Sequence, residues 1–197
     1  FADADQLTNK ANTRIVVDDG RRYLNRIARR YDVIAIDPPP PVEAAGSSLL
    51  YSEEFYELLK TRLEKGGILA QWFPGGEKLT LQAVANAVGR SFPYVRVFHS
   101  VEDWGFHLLA SMDPIETPTV QQFADILPSK AAADLMEWSP DQDIKSFYAS
   151  IIQREIPWNE ILPPGDHASV TDNRPYNEYF FMRRAWNKVS GTHESAH

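Results

Sequence analysis

The feature that most constrains the fold is Tyr31-Asp32-Val33-Ile34-Ala35-Ile36-Asp37, followed at once by Pro38, Pro39, Pro40 and Pro41. Val33 to Ile36 is an unbroken apolar run, far too short for a membrane span and without the alternation of a half-exposed strand. It reads as a buried parallel strand covered by helices on both faces. Proline has no N–H to give to a ladder, so the strand stops at Asp37 and leaves a carboxylate at its C-terminal end. Ligands of open α/β sheets bind just outside such ends. Asp37 is therefore the leading candidate for a working residue. The plainer alternative is a strand-end carboxylate that only binds loop N–H groups.

The surrounding pattern alternates. Arg14 to Asp18 is β-branched and reads as a strand closed by Asp18-Asp19-Gly20. Arg21 to Tyr31 has Leu24, Ile27, Ala28 and Tyr31 at helical spacing, with Arg22, Arg26, Arg29 and Arg30 on the other face. That basic face is a solvated helix surface or, less simply, a site for an anion. Ser52 caps the next helix, whose first turn holds Glu53 and Glu54 and whose stripe is Phe55, Leu58, Leu59 and Leu63. Lys65-Gly66-Gly67 is expected to stop it. Ile68–Phe73 reads as a strand, Leu79–Phe92 as a helix, and Tyr94–Val101 with Gly105–Ser111 as an antiparallel hairpin at the sheet edge.

This order predicts an α/β fold: a doubly wound, mostly parallel sheet of the class I methyltransferase type, with an antiparallel edge hairpin. Beyond Met112 a helical extension is expected, with helices opening at Thr117-Pro118 and running through 130–138 and 141–153. Trp138, Phe147, Tyr148 and Trp158 fit the packing of those helices. The division is a core over 1–111, an extension over 112–189 and a disordered tail over 190–197.

Composition removes several function classes. A formal net charge of −7 over 197 residues argues against a nucleic-acid binder, which carries a basic surface. The chain has no cysteine, so disulfides, thiolate catalysis and cysteine-ligated metals are excluded. His99, His107, His167, His193 and His197 lack metal-ligand spacing on a helix, so no metal is expected. No stretch approaches the roughly 18 apolar residues of a membrane helix, and the start has no signal-peptide character. Phe1 is not an initiator methionine, which suggests a chain that begins inside a longer or processed product.

Four segments, in order and spacing, resemble the spermidine/spermine synthase family of polyamine aminopropyltransferases. They are Val17-Asp18-Asp19-Gly20-Arg21-Arg22-Tyr23-Leu24, the Tyr31–Asp37 strand, Leu49 to Leu59, and Gly66-Gly67-Ile68-Leu69-Ala70-Gln71. Gln71-Trp72-Phe73-Pro74 and Asp172-Asn173-Arg174-Pro175-Tyr176-Asn177-Glu178-Tyr179 are similar to a bacterial branch often fused to membrane segments. The resemblance implies a Rossmann-like fold and transfer of an aminopropyl group from decarboxylated S-adenosylmethionine to a polyamine, with no metal. It implies that Asp18, Asp19 and Gly20, together with Asp37 and Pro38, contact the nucleoside co-substrate, and that Asp37 positions and deprotonates the attacking amine. Glu43, Tyr51 and Gln71 are the candidate contacts to the acceptor. It also implies a cytoplasmic homodimer and, for that bacterial branch, a membrane-fused parent protein. For Asp18-Asp19-Gly20 a plain turn remains the alternative.

Two departures qualify these expectations. The family's second acid, three residues after the first, is here Pro40, and Glu43 is the available substitute. No Gly-x-Gly occurs anywhere in the chain, so the glycine-rich cofactor turn is missing and weak or absent binding of S-adenosylmethionine or its decarboxylated form is expected. Two other functions stay open. Asp37-Pro38-Pro39 resembles the strand end of amino-group methyltransferases that use S-adenosylmethionine. The fold could also serve as a non-catalytic regulatory or interaction domain.

Overall fold

The structure, a computed structural model, describes residues 12–38, 42–101, 103–137 and 139–190. Its strands are β1 (Tyr31–Ile36), β2 (Leu63–Phe73), β3 (Tyr94–His99), β4 (Phe106–Ser111) and β5 (Glu155–Ile156). They form one sheet in the order β1-β2-β4-β3-β5. Its α-helices are α1 (Gly20–Arg26), α2 (Glu53–Lys60), α3 (Lys78–Ser91), α4 (Val120–Ile126), α5 (Ser129–Met136), α6 (Ile144–Ile152), α7 (Trp158–Ile161) and α8 (Phe180–Ser190). Short 3-10 turns occupy Ser47–Leu50 and Tyr176–Tyr179.

The α/β class stands, but the mostly parallel sheet does not. Only β1 and β2 pair in parallel among the described residues, whereas β2·β4, β3·β4 and β3·β5 are antiparallel. The cause is the hairpin. β1, β2 and β3 all run the same way, yet β4 turns back and inserts between β2 and β3 instead of decorating an edge. Each of its neighbours is thereby antiparallel to it.

The strand expected over Arg14–Asp18 is absent. That segment is irregular, with Ile15 and Val17 exposed at 66% and 99%. β-branched residues favour a pleated surface only where a neighbouring strand takes up the backbone groups. No such neighbour pairs with this segment among the described residues.

Gly66 and Gly67 also act differently from expectation. α2 ends earlier, at Lys60 with Thr61 as its cap, and β2 starts at Leu63. The ladder with β1 then jumps from Tyr31↔Leu63 to Val33↔Ile68, so the glycines form a bulge inside the strand. A Cβ at Gly67 would lie 2.9 Å from the Glu64 carbonyl oxygen and 3.1 Å from that of Tyr31.

One face of the sheet carries the core. Alternation along β2 and β4 points Leu69, Phe73, Leu108 and Ala110 at Phe55, Tyr56 and Leu59 of α2 and at Val84, Ala85 and Val88 of α3. Burying a side chain of this size contributes roughly 1.5–3 kcal/mol. α2 is well specified. The Ser52 hydroxyl accepts from the Phe55 N–H, Glu53 and Glu54 sit in its first turn, and Lys60 in its last. The expected helix start at Thr117-Pro118 is shifted to a capping box at Thr119 and Gln122 that opens α4.

On the opposite face α6 and residues 115–118 lie over part of the sheet, with α4 stacked on α6 through Phe123 and Tyr148. Between them and the sheet lies an apolar cavity of about 370 Å³ lined by Ile68, Phe98, Leu109, Pro118, Tyr148 and Ile152. The expected packing role of Trp138 lies outside the described residues, as does the disordered tail expected over 190–197 except for Ser190, which ends α8.

Candidate active site at the strand ends

β1 delivers Asp37 to its C-terminal end, exposed, while Pro38 is buried behind it. Pro39 to Pro41, including the position of the missing second acid, lie outside the described residues. The chain returns at Val42, buried, and Glu43, half-buried. The Glu43 carboxylate reaches the Gly76 backbone after β2, where an added Cβ would meet its Oε1 at 2.9 Å. Tyr51, only 1% exposed, packs edge-on against Phe73 with ring centroids 6.0 Å apart. Its hydroxyl is buried and has no hydrogen-bond partner among the described residues. Burial, then the charges of Glu43 and Asp37, push the Tyr51 phenol well above its ordinary pKa. Asp37, Glu43 and the Tyr51 hydroxyl therefore share one electrostatic neighbourhood. Two carboxylates and a neutral phenol are suited to holding an ammonium group.

Gln71 lies on the core side. Its Oε1 accepts from the Tyr56 hydroxyl at 2.7 Å, and its Nε2 donates to the Leu50 carbonyl at 3.0 Å. With 1% exposure it braces the loop that carries Tyr51. The next residue, Trp72, points to the opposite face.

The loop from Val42 to Ser52 is held from far along the chain. Asn177, fully buried, donates to the Val42 carbonyl at 2.6 Å and to the Ser47 hydroxyl at 2.8 Å. The Ser48 N–H donates to Glu178 at 3.0 Å. Burial raises the Glu178 pKa, but the bonds from Ser48 and the backbone outweigh it and leave the carboxyl below its ordinary value. Asp172 accepts two bonds from Arg21, at 2.8 and 2.5 Å, and one from the Ser52 hydroxyl at 2.6 Å. The polar patch that begins at Asp172 is thus the brace of the acceptor-side loop and of α1. Its polarity and the aromatic run after it were legible in the sequence; its partners, more than a hundred residues upstream, were not.

Asp18, Asp19 and Gly20 start α1. Asp19 is its N-cap, accepting from the Arg22 N–H at 2.7 Å. Asp18 accepts from the Asp19 N–H at 3.0 Å and pairs with Arg26. Both carboxylates are engaged in the turn, while the Cα of Gly20 faces open space. A groove of about 410 Å³ adjoins it, lined by Arg14, Asp18, Gly20, Tyr23, Arg29 and Tyr31. These residues fit a nucleoside in part: Gly20 leaves room for a base edge, but the acids are already bonded. Among the described residues no group of three metal-ligating side chains occurs.

Residues 2–95 match the spermine/spermidine synthase domain. A polyamine aminopropyltransferase from Saccharolobus solfataricus is 31% identical over 103 residues, covering 48% of this chain and 34% of that protein. Polyamine aminopropyltransferase 2 from Pseudomonas aeruginosa is 33% identical over 105 residues, 49% of this chain and 30% of that one. The chain thus spans about a third of the length of these relatives. The crystal structure of spermidine synthase from Thermotoga maritima superposes with a TM-score of 0.50 at 19% identity, over 78% of this chain and 51% of that chain. The resemblance read from residues 14–73 is borne out, and the Rossmann-like character of the fold with it. Among the described residues no helix is long and apolar enough to cross a membrane.

Proposed function

We propose that this spermine/spermidine-synthase-like chain carries the amine-acceptor side of an aminopropyl transfer, with decarboxylated S-adenosylmethionine as donor. The observation that carries the reading is Asp37, exposed at the end of β1, whose charge together with that of Glu43 is felt at the buried Tyr51 hydroxyl, which has no hydrogen-bond partner among the described residues. The match over residues 2–95 supports it.

The acceptor amine arrives as an ammonium and must lose a proton before it can attack. Asp37 attracts the cation and takes that proton. The amine lone pair then forms a C–N bond to the carbon beside the sulfonium, and the C–S bond breaks to release a neutral thioether. The product leaves as a secondary ammonium, and Asp37 passes its proton to solvent. Most of the acceleration comes from holding nitrogen and carbon in line. Glu43 supplies the second negative charge that Pro40 cannot, and binds the far ammonium of a diamine. Tyr51 donates its hydroxyl to Glu43 or accepts from the bound ammonium. The core over 1–111 performs the chemistry in the cytoplasm, and the extension over 112–189 braces it.

The test is to incubate the protein with decarboxylated S-adenosylmethionine and 1,4-diaminobutane and follow aminopropyl addition by mass spectrometry. With no glycine-rich turn to hold the donor, transfer is expected only at donor concentrations far above those of a complete synthase, with Asp37→Asn lowering kcat by about 10²–10⁴. No transfer by folded protein, or methyl transfer from S-adenosylmethionine in its place, would overturn the reading.

A further inference from the structure

The register of the sheet puts one indole level with the candidate carboxylate, a second indole packs against the first, and the reaction chemistry does not account for them. Ile36 pairs with Gln71, so Asp37 ends level with Trp72, which pairs with His107 of β4. The charge of Asp37 is felt at His107: partial desolvation lowers the histidine's pKa, and Asp37 works against that shift. Trp104 leans over Trp72 from the β3–β4 turn, ring centroids 4.8 Å apart and planes at 85°. Two indoles at a right angle form a concave corner of π surface. Half of Trp104 is exposed, a large apolar surface at the mouth of an acidic site.

The corner is built with some care. Gly105 has φ +76°, and a Cβ there would lie 2.6 Å from the Phe73 carbonyl oxygen and 2.9 Å from the Trp72 indole nitrogen. Only glycine lets the turn come down onto Trp72. Asp103 also has a positive φ, of 59°. Arg154, just after α6, holds the turn by donating to the Ser100 carbonyl at 2.9 Å and to Asp103 at 2.6 Å. The Ser100 N–H closes it on the Gly105 carbonyl at 3.1 Å.

We propose that Trp72 and Trp104 form a cation-binding corner beside Asp37, which recognises the positive charge of an onium ligand, ammonium or sulfonium, through the faces of both rings. The negative face of an indole attracts a desolvated cation, and tryptophan does so best among the aromatic residues. This rests on the reading of the site as one that handles cationic substrates. It adds a recognition element that needs no hydrogen bond, so it acts on a sulfonium as well as on an amine.

A fixed-charge probe separates the corner from the acid–base chemistry. Calorimetric titration compares choline with its uncharged carbon isostere, 3,3-dimethylbutan-1-ol, in the wild type, in Trp104→Leu and in Arg154→Gln. The cation is expected to bind about 5- to 20-fold more tightly than the neutral compound. Trp104→Leu should bring that ratio close to one, with an unchanged circular dichroism spectrum. Arg154→Gln, which leaves both indoles in place but frees the turn, should lower the ratio partway. Equal binding of the two probes by the wild type, no binding of either, or a ratio unmoved by Trp104→Leu would overturn the proposal. Absence of aminopropyl transfer together with an intact, Trp104-dependent ratio would overturn the proposed reaction and leave the corner standing.

Discussion

Replacing Asp172 by asparagine should loosen two distant parts of the molecule at once. The wild-type carboxylate accepts two bonds from Arg21 and one from the Ser52 hydroxyl, and Ser52 is itself the N-cap of α2. The substitution keeps the shape and removes the charge. Hydrogen bonds to charged groups contribute about 1.5–3 kcal/mol each when well shielded. The Arg21 and Asp172 side chains are 22% and 33% exposed, so solvent screening reduces the whole node to about 2 kcal/mol. Urea unfolding at pH 7 measures that loss, and a double-mutant cycle with Arg21→Gln isolates about 1 kcal/mol of coupling. The pH dependence follows in sign. The bonds from Arg21, with a smaller opposing contribution from burial, hold the Asp172 pKa below its ordinary value. A depressed carboxyl stabilises the fold above its unfolded pKa of about 3.9, and that stabilisation is lost as pH falls through the folded pKa. Wild type and variant should therefore differ at pH 7 and converge once the pH has fallen below the depressed folded pKa. A loss under about 0.5 kcal/mol, or a constant difference down to that pH, would refute the assignment of Asp172 as a charged brace.

Other positions give equally direct tests. Tyr51→Phe removes a buried hydroxyl that has no partner among the described residues, so without ligand the melting temperature should hold or rise slightly, while the KM for the amine rises several-fold. Gly67→Ala pushes a methyl group against the Glu64 and Tyr31 carbonyls and should cost about 1–3 kcal/mol in thermal unfolding. Leu59→Ala empties a fully buried place between α2 and the sheet and should cost about 2–5 kcal/mol in urea.

Local rules made much of this molecule legible. Ser52 followed by two glutamates identified the start of α2, the spacing of Val84, Ala85 and Val88 identified α3, and the prolines located the end of β1. What was not legible depends on partners distant in sequence. Residues 14–17 look like a strand, yet nothing in their side chains says whether a ladder will receive them. Gly66-Gly67 suits a helix stop and a strand bulge equally well, and only the close Tyr31 carbonyl decides between them. A hairpin at an edge and a hairpin with one arm inside the sheet have the same sequence pattern. In the site, Asp37 stood out because the chain must stop there. Trp72 has no such mark: it shares a motif with Gln71, and only alternation along β2 shows that the two face opposite sides of the sheet.

The position of β4 also dictates an order of assembly. β2 and β3 have the same direction but are separated by one strand width, and nothing bridges them until β4 arrives. The residues that match the synthase domain end at position 95, one residue past the start of β3 and before β4 exists. Synthesised alone, that stretch would expose the inner edge of β2, from Leu69 to Phe73, as an open template for other chains. The stretch that matches the synthase domain is thus not a folding unit. Closure of the sheet waits for Phe106–Ser111, and during synthesis the chain is most prone to aggregate in the interval just before that segment emerges.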